Sequence, residues 1–137
     1  MYQKLRETGL VQAVYGGYLS HRGTGQFLFY FVTQPSKVEK VKKELFKIIN
    51  SFKKNGVPEK TVEDAKRKII NSEIFAREEV THDAESLGYA ASVAEDILYD
   101  INYTDNISKV TKKDVDRYLK RYFGENNYTE VQLLPDD

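Results

Sequence analysis

The spacing of apolar residues along this chain switches between a strand period and a helix period. From Leu10 to Leu19 and from Gln26 to Thr33 the residues are β-branched, aromatic or small, and Ser20-His21-Arg22-Gly23-Thr24-Gly25 between them is rich in turn formers, which predicts a β-hairpin. The second strand is apolar on both sides, with Phe27, Phe29 and Phe31 on one and Leu28, Tyr30 and Val32 on the other, so each face needs a cover. Ser36 and Glu39 stand in capping-box spacing, and the stripe Val38, Val41, Leu45, Ile48, Ile49, Phe52 keeps helical period until Asn55-Gly56. Pro58 opens a second predicted helix, whose stripe Val62, Ala65, Ile69 continues to about Glu79. A third follows on Ala84, Leu87, Ala91, Ala94 and Leu98, with small residues at Ala84, Gly88 and Ala91 that allow a neighbouring helix to come close.

Thr111 forms a further capping box with Asp114, and Val110 and Val115 take the positions of a hydrophobic staple, so a short helix through Tyr118, Leu119 and Tyr122 is expected to end at Gly124. Thr129 to Leu134 alternates as a closing strand before Pro135-Asp136-Asp137. With an amphipathic segment at the start, the order predicts an α+β fold: an antiparallel sheet of about three strands covered on one face by several helices. Residues 1–137 read as a single unit without internal repeat or linker.

A length of 137 residues fits one domain, and 21 basic against 21 acidic residues with 40% hydrophobic content argues against both a disordered chain and a nucleic-acid binder. Cysteine is absent, which removes disulfides, thiolate nucleophiles and Cys-ligated zinc together. The sequence begins inside an amphipathic segment, without the apolar core of a signal peptide, and no apolar run reaches the roughly 20 residues of a bilayer span. A soluble chain with no membrane partner is expected, opening as an excised piece would, and its localisation stays open.

Chemistry-bearing motifs are few. His82-Asp83-Ala84-Glu85-Ser86 approaches the inverted zinc motif H-x-x-E-H, but Ser86 stands where the second histidine is required. His21, the other histidine, lies in the predicted turn, so no metal site is expected. A G-x-S-x-G elbow is missing, and the glycines of Gly16-Gly17 and Gly23-Thr24-Gly25 fall in or between strands rather than in a phosphate loop. The charged run Lys37 to Lys54 reads as the solvent face of a helix laced by i, i+4 pairs.

An ordered set of short segments carries a resemblance. Tyr2-Gln3-Lys4-Leu5-Arg6-Glu7 with Gly9-Leu10-Val11, then Thr24-Gly25-Gln26-Phe27, Asn55-Gly56-Val57, Ala65-Lys66, Ser86-Leu87-Gly88, and Val110 to Val115 leading to Arg121-Tyr122-Phe123 resemble insulinase/pitrilysin-family zinc metallopeptidases in order and spacing. The likeness implies the second, C-terminal half of one pitrilysin-like domain, with the layered fold of LuxS-like and mitochondrial-processing-peptidase-like proteins. In that family two such domains enclose a peptide. The zinc ligands belong to another half, so this chain would hold no cofactor, with zinc implied only for the parent enzyme, and would be inactive alone. An Arg and a Tyr seven positions apart hold substrate in the family; Arg6 matches the Arg, and Gln12 stands near the Tyr position, one residue short. The implied function is a non-catalytic substrate-chamber portion of a metalloendopeptidase, the alternative a structural homologue like respiratory-complex core subunits. Expected partners are the remaining half-domain, the partner peptidase domain, peptide substrate and, for the chain by itself, a second copy in a homo-oligomer.

Overall fold

The computed structural model describes residues 2–124 and 126–134. Its elements run α1 (Tyr2–Glu7), β1 (Ala13–Leu19), β2 (Gln26–Val32), α2 (Val38–Asn55), α3 (Glu59–Ala76), α4 (Val80–Tyr89), α5 (Ile97–Ile101), α6 (Tyr103–Lys109) and α7 (Lys112–Tyr122). The fold is α+β, with the two strands paired as a hairpin. The chain divides into two compact units, one of Met1–Tyr18, Phe27–Gly56 and Asp116–Asp137, the other of Leu19–Gln26 and Val57–Val115.

In the first unit, α1 ends in a Schellman motif. Leu10 N–H donates to Leu5 O (3.2 Å) and Gly9 N–H to Arg6 O (3.0 Å), with Gly9 at φ 64° in the left-handed region that glycine tolerates best. The apolar contact that accompanies this motif is present, because Leu5 and Leu10 both lie in the core with Val11, Val41 and Ile48. Val14, Phe31 and Phe52 pack against that cluster. The expected first strand therefore starts later than Leu10: Leu10 and Val11 are buried as a plug ahead of it, tied by Thr33 Oγ1 to Leu10 O (2.6 Å) and by Gln12 N–H to Val32 O (2.8 Å).

The side of β2 bearing Phe27, Phe29 and Phe31 is covered in part: Phe29 and Phe31 are half-buried, while Phe27 stays 50% exposed. Phe27 packs on Tyr18 (5.0 Å between ring centroids) and on Phe123 (4.8 Å), and Phe29 also meets Phe123 (6.2 Å). Leu28 and Tyr30 on the opposite side are exposed, Tyr30 at 54%, together with Tyr15 at 62%. Tyr15 lies across Gly17, where a Cβ would come within 3.0 Å of the phenol oxygen, so a side chain at position 17 would displace the ring.

Thr129 to Leu134 does not form the expected third strand. Among the described residues the sheet has two strands, and this stretch meets α2 through side chains instead: Tyr128, just before it, packs tilted on Phe46 at 5.1 Å, and Glu130 pairs with Lys42 at 2.7 Å. The stop expected at Pro135-Asp136-Asp137 lies outside the described residues. The capping box at Ser36 and Glu39 is also not made. Pro35 starts a 3-10 turn over Pro35–Lys37, so Ser36 is already inside helical backbone when α2 begins.

In the second unit, α3 starts on Pro58, whose carbonyl accepts from Thr61 and Val62 N–H, and stops at Ala76 rather than near Glu79. The single helix expected through Ala84 and Leu98 is interrupted: α4 passes into a π-helical turn at Ala90–Ala94, and Glu95 at φ 56° breaks the backbone. Ala90 is buried there, and Asp96 restarts the helix by accepting from Leu98 N–H at 2.9 Å. The capping box of α7 forms as expected, with Thr111 N–H donating to Asp114 Oδ2 (3.0 Å) and Asp114 N–H to Thr111 Oγ1 (3.3 Å).

Candidate functional site

Arg6 occupies the last turn of α1 and Gln12 the entry to β1; both are exposed. Leu10 and Val11 between them are buried, so the guanidinium and the carboxamide flank one buried plug. The backbone under each is fixed, since Arg6 O accepts from Gly9 and Gln12 N–H donates to Val32 O. Beyond Gln12, Tyr15, Leu28 and Tyr30 form an exposed, uncharged sheet face, and neither strand carries a charged residue.

The second unit contains an ionic cluster at which His82, Asp83 and Ser86 meet. Arg77, at the end of α3, lies among three carboxylates: its Nε is 3.0 Å from Glu73 Oε1, its Nη1 is 3.6 Å from Asp83 Oδ1, and its Nη2 is 3.0 Å from Asp100 Oδ2. Glu73 Oε1 and Asp100 Oδ2 approach the guanidinium without an aligned hydrogen bond, whereas Nη2 donates to the backbone carbonyl of Asp100 at 3.3 Å. Asp100 is 5% exposed, and its other carboxylate oxygen accepts from Ser86 Oγ. The Ser86 hydroxyl, and then Arg77, hold its carboxyl below the usual carboxylate range against the opposing effect of burial. Arg77 in turn is held charged by Asp100.

His82 Nε2 faces Glu73 Oε1 at 3.7 Å. Its near-motif therefore serves packing: the i, i+4 spacing puts His82 and Ser86 on one side of α4, where they meet Glu73 and Asp100. These residues do not fit a zinc ion, because the space between the carboxylates is taken by the guanidinium, and no grouping of three His, Cys, Asp or Glu suited to a metal exists among the described residues. Asp100 belongs to none of the sequence motifs, and its one signal is a carboxylate within the apolar run Ile97-Leu98-Tyr99-Asp100-Ile101.

No helix among the described residues is long and apolar enough to cross a membrane. No curated protein matches the chain. The family model described as the peptidase M16 inactive domain matches residues 1–69, which take in α1, the hairpin, α2 and the first part of α3. Arg6, Gln12 and the open sheet face all lie inside that match, which covers just over half of the 137 residues, and the chain belongs to the M16, or insulinase, peptidase family as one of its inactive domains.

Proposed function

We propose that this chain is the substrate-chamber half-domain of a zinc-dependent metalloendopeptidase, hydrolysing nothing by itself and contributing peptide contacts to a parent whose zinc and catalytic carboxylate lie outside these residues. The observation that carries the reading is the inactive-domain match over residues 1–69, coupled to the exposed position of Arg6 and Gln12 beside an uncharged sheet face. In this reading Arg6 donates charge-assisted hydrogen bonds to a peptide carbonyl and the Gln12 carboxamide adds a neutral one. Tyr15, Leu28 and Tyr30 offer apolar contact to side chains of an extended peptide. Residues 1–137 then form the C-terminal half of a pitrilysin-like domain, completed by the other half and faced by the partner peptidase domain.

The test is a quenched fluorescent peptide assay on the chain alone and on the longer protein that contains it. The chain alone is expected to give no zinc-dependent turnover and the longer protein to cleave. In the longer protein, Arg6→Ala should lower kcat/KM by about 10- to 150-fold, the effect of one charge-assisted hydrogen bond worth about 1.5–3 kcal/mol. Its melting temperature should be nearly unchanged, as for most exposed substitutions. Unaltered kcat/KM in Arg6→Ala removes Arg6 from the substrate site, and zinc-dependent hydrolysis by the isolated chain overturns the inactive assignment.

A further inference from the structure

We propose that the lysine face of α2 is an electrostatic docking surface for the acidic helical unit of a second copy of this chain. Lys40, Lys43, Lys47 and Lys54 are all exposed and recur at helical spacing opposite the buried Val41, Ile48 and Ile49. They form one row about 21 Å long at 1.5 Å per residue. Lys40, Lys43 and Lys47 stand within the roughly 8 Å screening length of their neighbours at physiological salt, so they repel one another.

The i, i+4 pairs expected along this helix are nearly missing. Glu44 reaches Lys47 at 3.5 Å, and Lys42 is turned toward Glu130 instead of the row. By contrast α3, of equal length, neutralises itself: Lys60 pairs with Asp64 at 2.7 Å, Lys66 with Glu63 at 2.9 Å, and Arg67 with Asp64. One helix is internally paired, whereas in the lysine row of the other only Lys47 has a carboxylate partner.

The complementary charge is in the same chain. Basic residues outnumber acidic ones 12 to 8 in the first unit and are outnumbered 9 to 13 in the second. Within the second unit Glu78, Glu79 and Glu85 are exposed around the start of α4, and no cation among the described residues reaches their side chains. A chain with no net charge but oppositely charged units attracts its own copies at low ionic strength.

Other anionic partners fit the face less well. The row is all lysine, without the arginines or interleaved aromatics that recognise phosphates and bases. The apolar side of α2 is occupied by the core, which leaves no apolar surface of that helix to enter a bilayer.

Sedimentation velocity on the 137-residue chain at about 30 mM and about 500 mM salt is the test. A concentration-dependent dimer is expected at low salt, dissociating at high salt. The double variants K43E/K47E and E78K/E79K should each be monomeric at low salt, with the dimer dissociation constant raised at least about tenfold and the far-ultraviolet circular dichroism unchanged. Mixing the two variants should restore association, since each then supplies the charge the other lacks. A wild-type chain that stays monomeric at low salt overturns the proposal, as does a K43E/K47E variant that dimerises like wild type. Lysine-dependent binding to anionic vesicles without self-association assigns the face to a membrane surface and overturns it equally.

Discussion

Asp100→Ala is expected to lower the stability of the helical unit by about 3 kcal/mol, near the lower end of the range for breaking a buried ion pair. The carboxylate is 5% exposed, accepts from Ser86 Oγ and faces the Arg77 guanidinium, so its removal leaves a partly buried hydroxyl without its acceptor and takes one of three carboxylates from around the cation, which keeps Glu73 and Asp83. The lower end applies because the Arg77 side chain is 35% exposed and can turn part of its charge to water. Asp100→Asn keeps an acceptor for Ser86 and loses only the charge, so about half the effect is expected. Urea unfolding followed by circular dichroism measures both. Equal stability of wild type and Asp100→Ala would show that the cluster is a surface ion pair in energetic terms.

The same carboxylate fixes the sign of a pH dependence. Its folded pKa is lowered, first by the Ser86 hydroxyl and then by Arg77, relative to about 3.9 in an unfolded chain. The ionised form is favoured by folding, so the stabilisation is complete well above pH 4 and is lost as pH falls through the folded value. Wild type and Asp100→Asn should therefore differ most near neutrality and converge below about pH 4. A gap that stays constant well below pH 4 would assign the stabilisation to shape rather than charge.

The hairpin, the long helices α2 and α3 and the capping box of α7 were legible in the sequence because each rests on local periodicity or on a side chain bonding its own turn. What was not legible depends on partners distant in sequence or on backbone that a period does not encode. The stripe from Ala84 to Leu98 keeps a 3, 4 spacing, yet a π-helical turn at Ala90–Ala94 shifts its second half out of phase, and that shift goes with the separate helix α5, which carries Asp100. Thr129 to Leu134 has a strand's alternation but, with Tyr128 just before it, finds Phe46 and Lys42 rather than a strand to pair with. At the candidate substrate site the identities of Arg6 and Gln12 came from likeness, while the Schellman turn that fixes their backbone could have been read from Gly9 between Leu5 and Leu10.

That turn sets the second large effect, Leu5→Ala. Leu5 is 1% exposed and shares a core with Leu10, Val11, Val41 and Ile48. Truncating a leucine so placed costs about 2–5 kcal/mol through lost burial and the cavity left behind. About 3 kcal/mol is expected, because α1 has six residues, too few for an isolated helix to persist in water. Leu5 provides its apolar anchor, so the helix can detach and let the cavity collapse, which limits the loss. Detachment has its own signature: Gly9 and Leu10 N–H, bonded to Arg6 O and Leu5 O, should lose hydrogen-exchange protection far more than amides in the middle of α2. Leu5→Met, which keeps volume, should cost less than about 1.5 kcal/mol and retain that protection. In the longer protein Leu5→Ala should then also depress peptide turnover, since Arg6 is carried on the same turn, whereas Leu5→Met should not. If Gly9 and Leu10 remain protected in Leu5→Ala, α1 is held by something other than this side chain, and the coupling of Arg6 to the core is wrong.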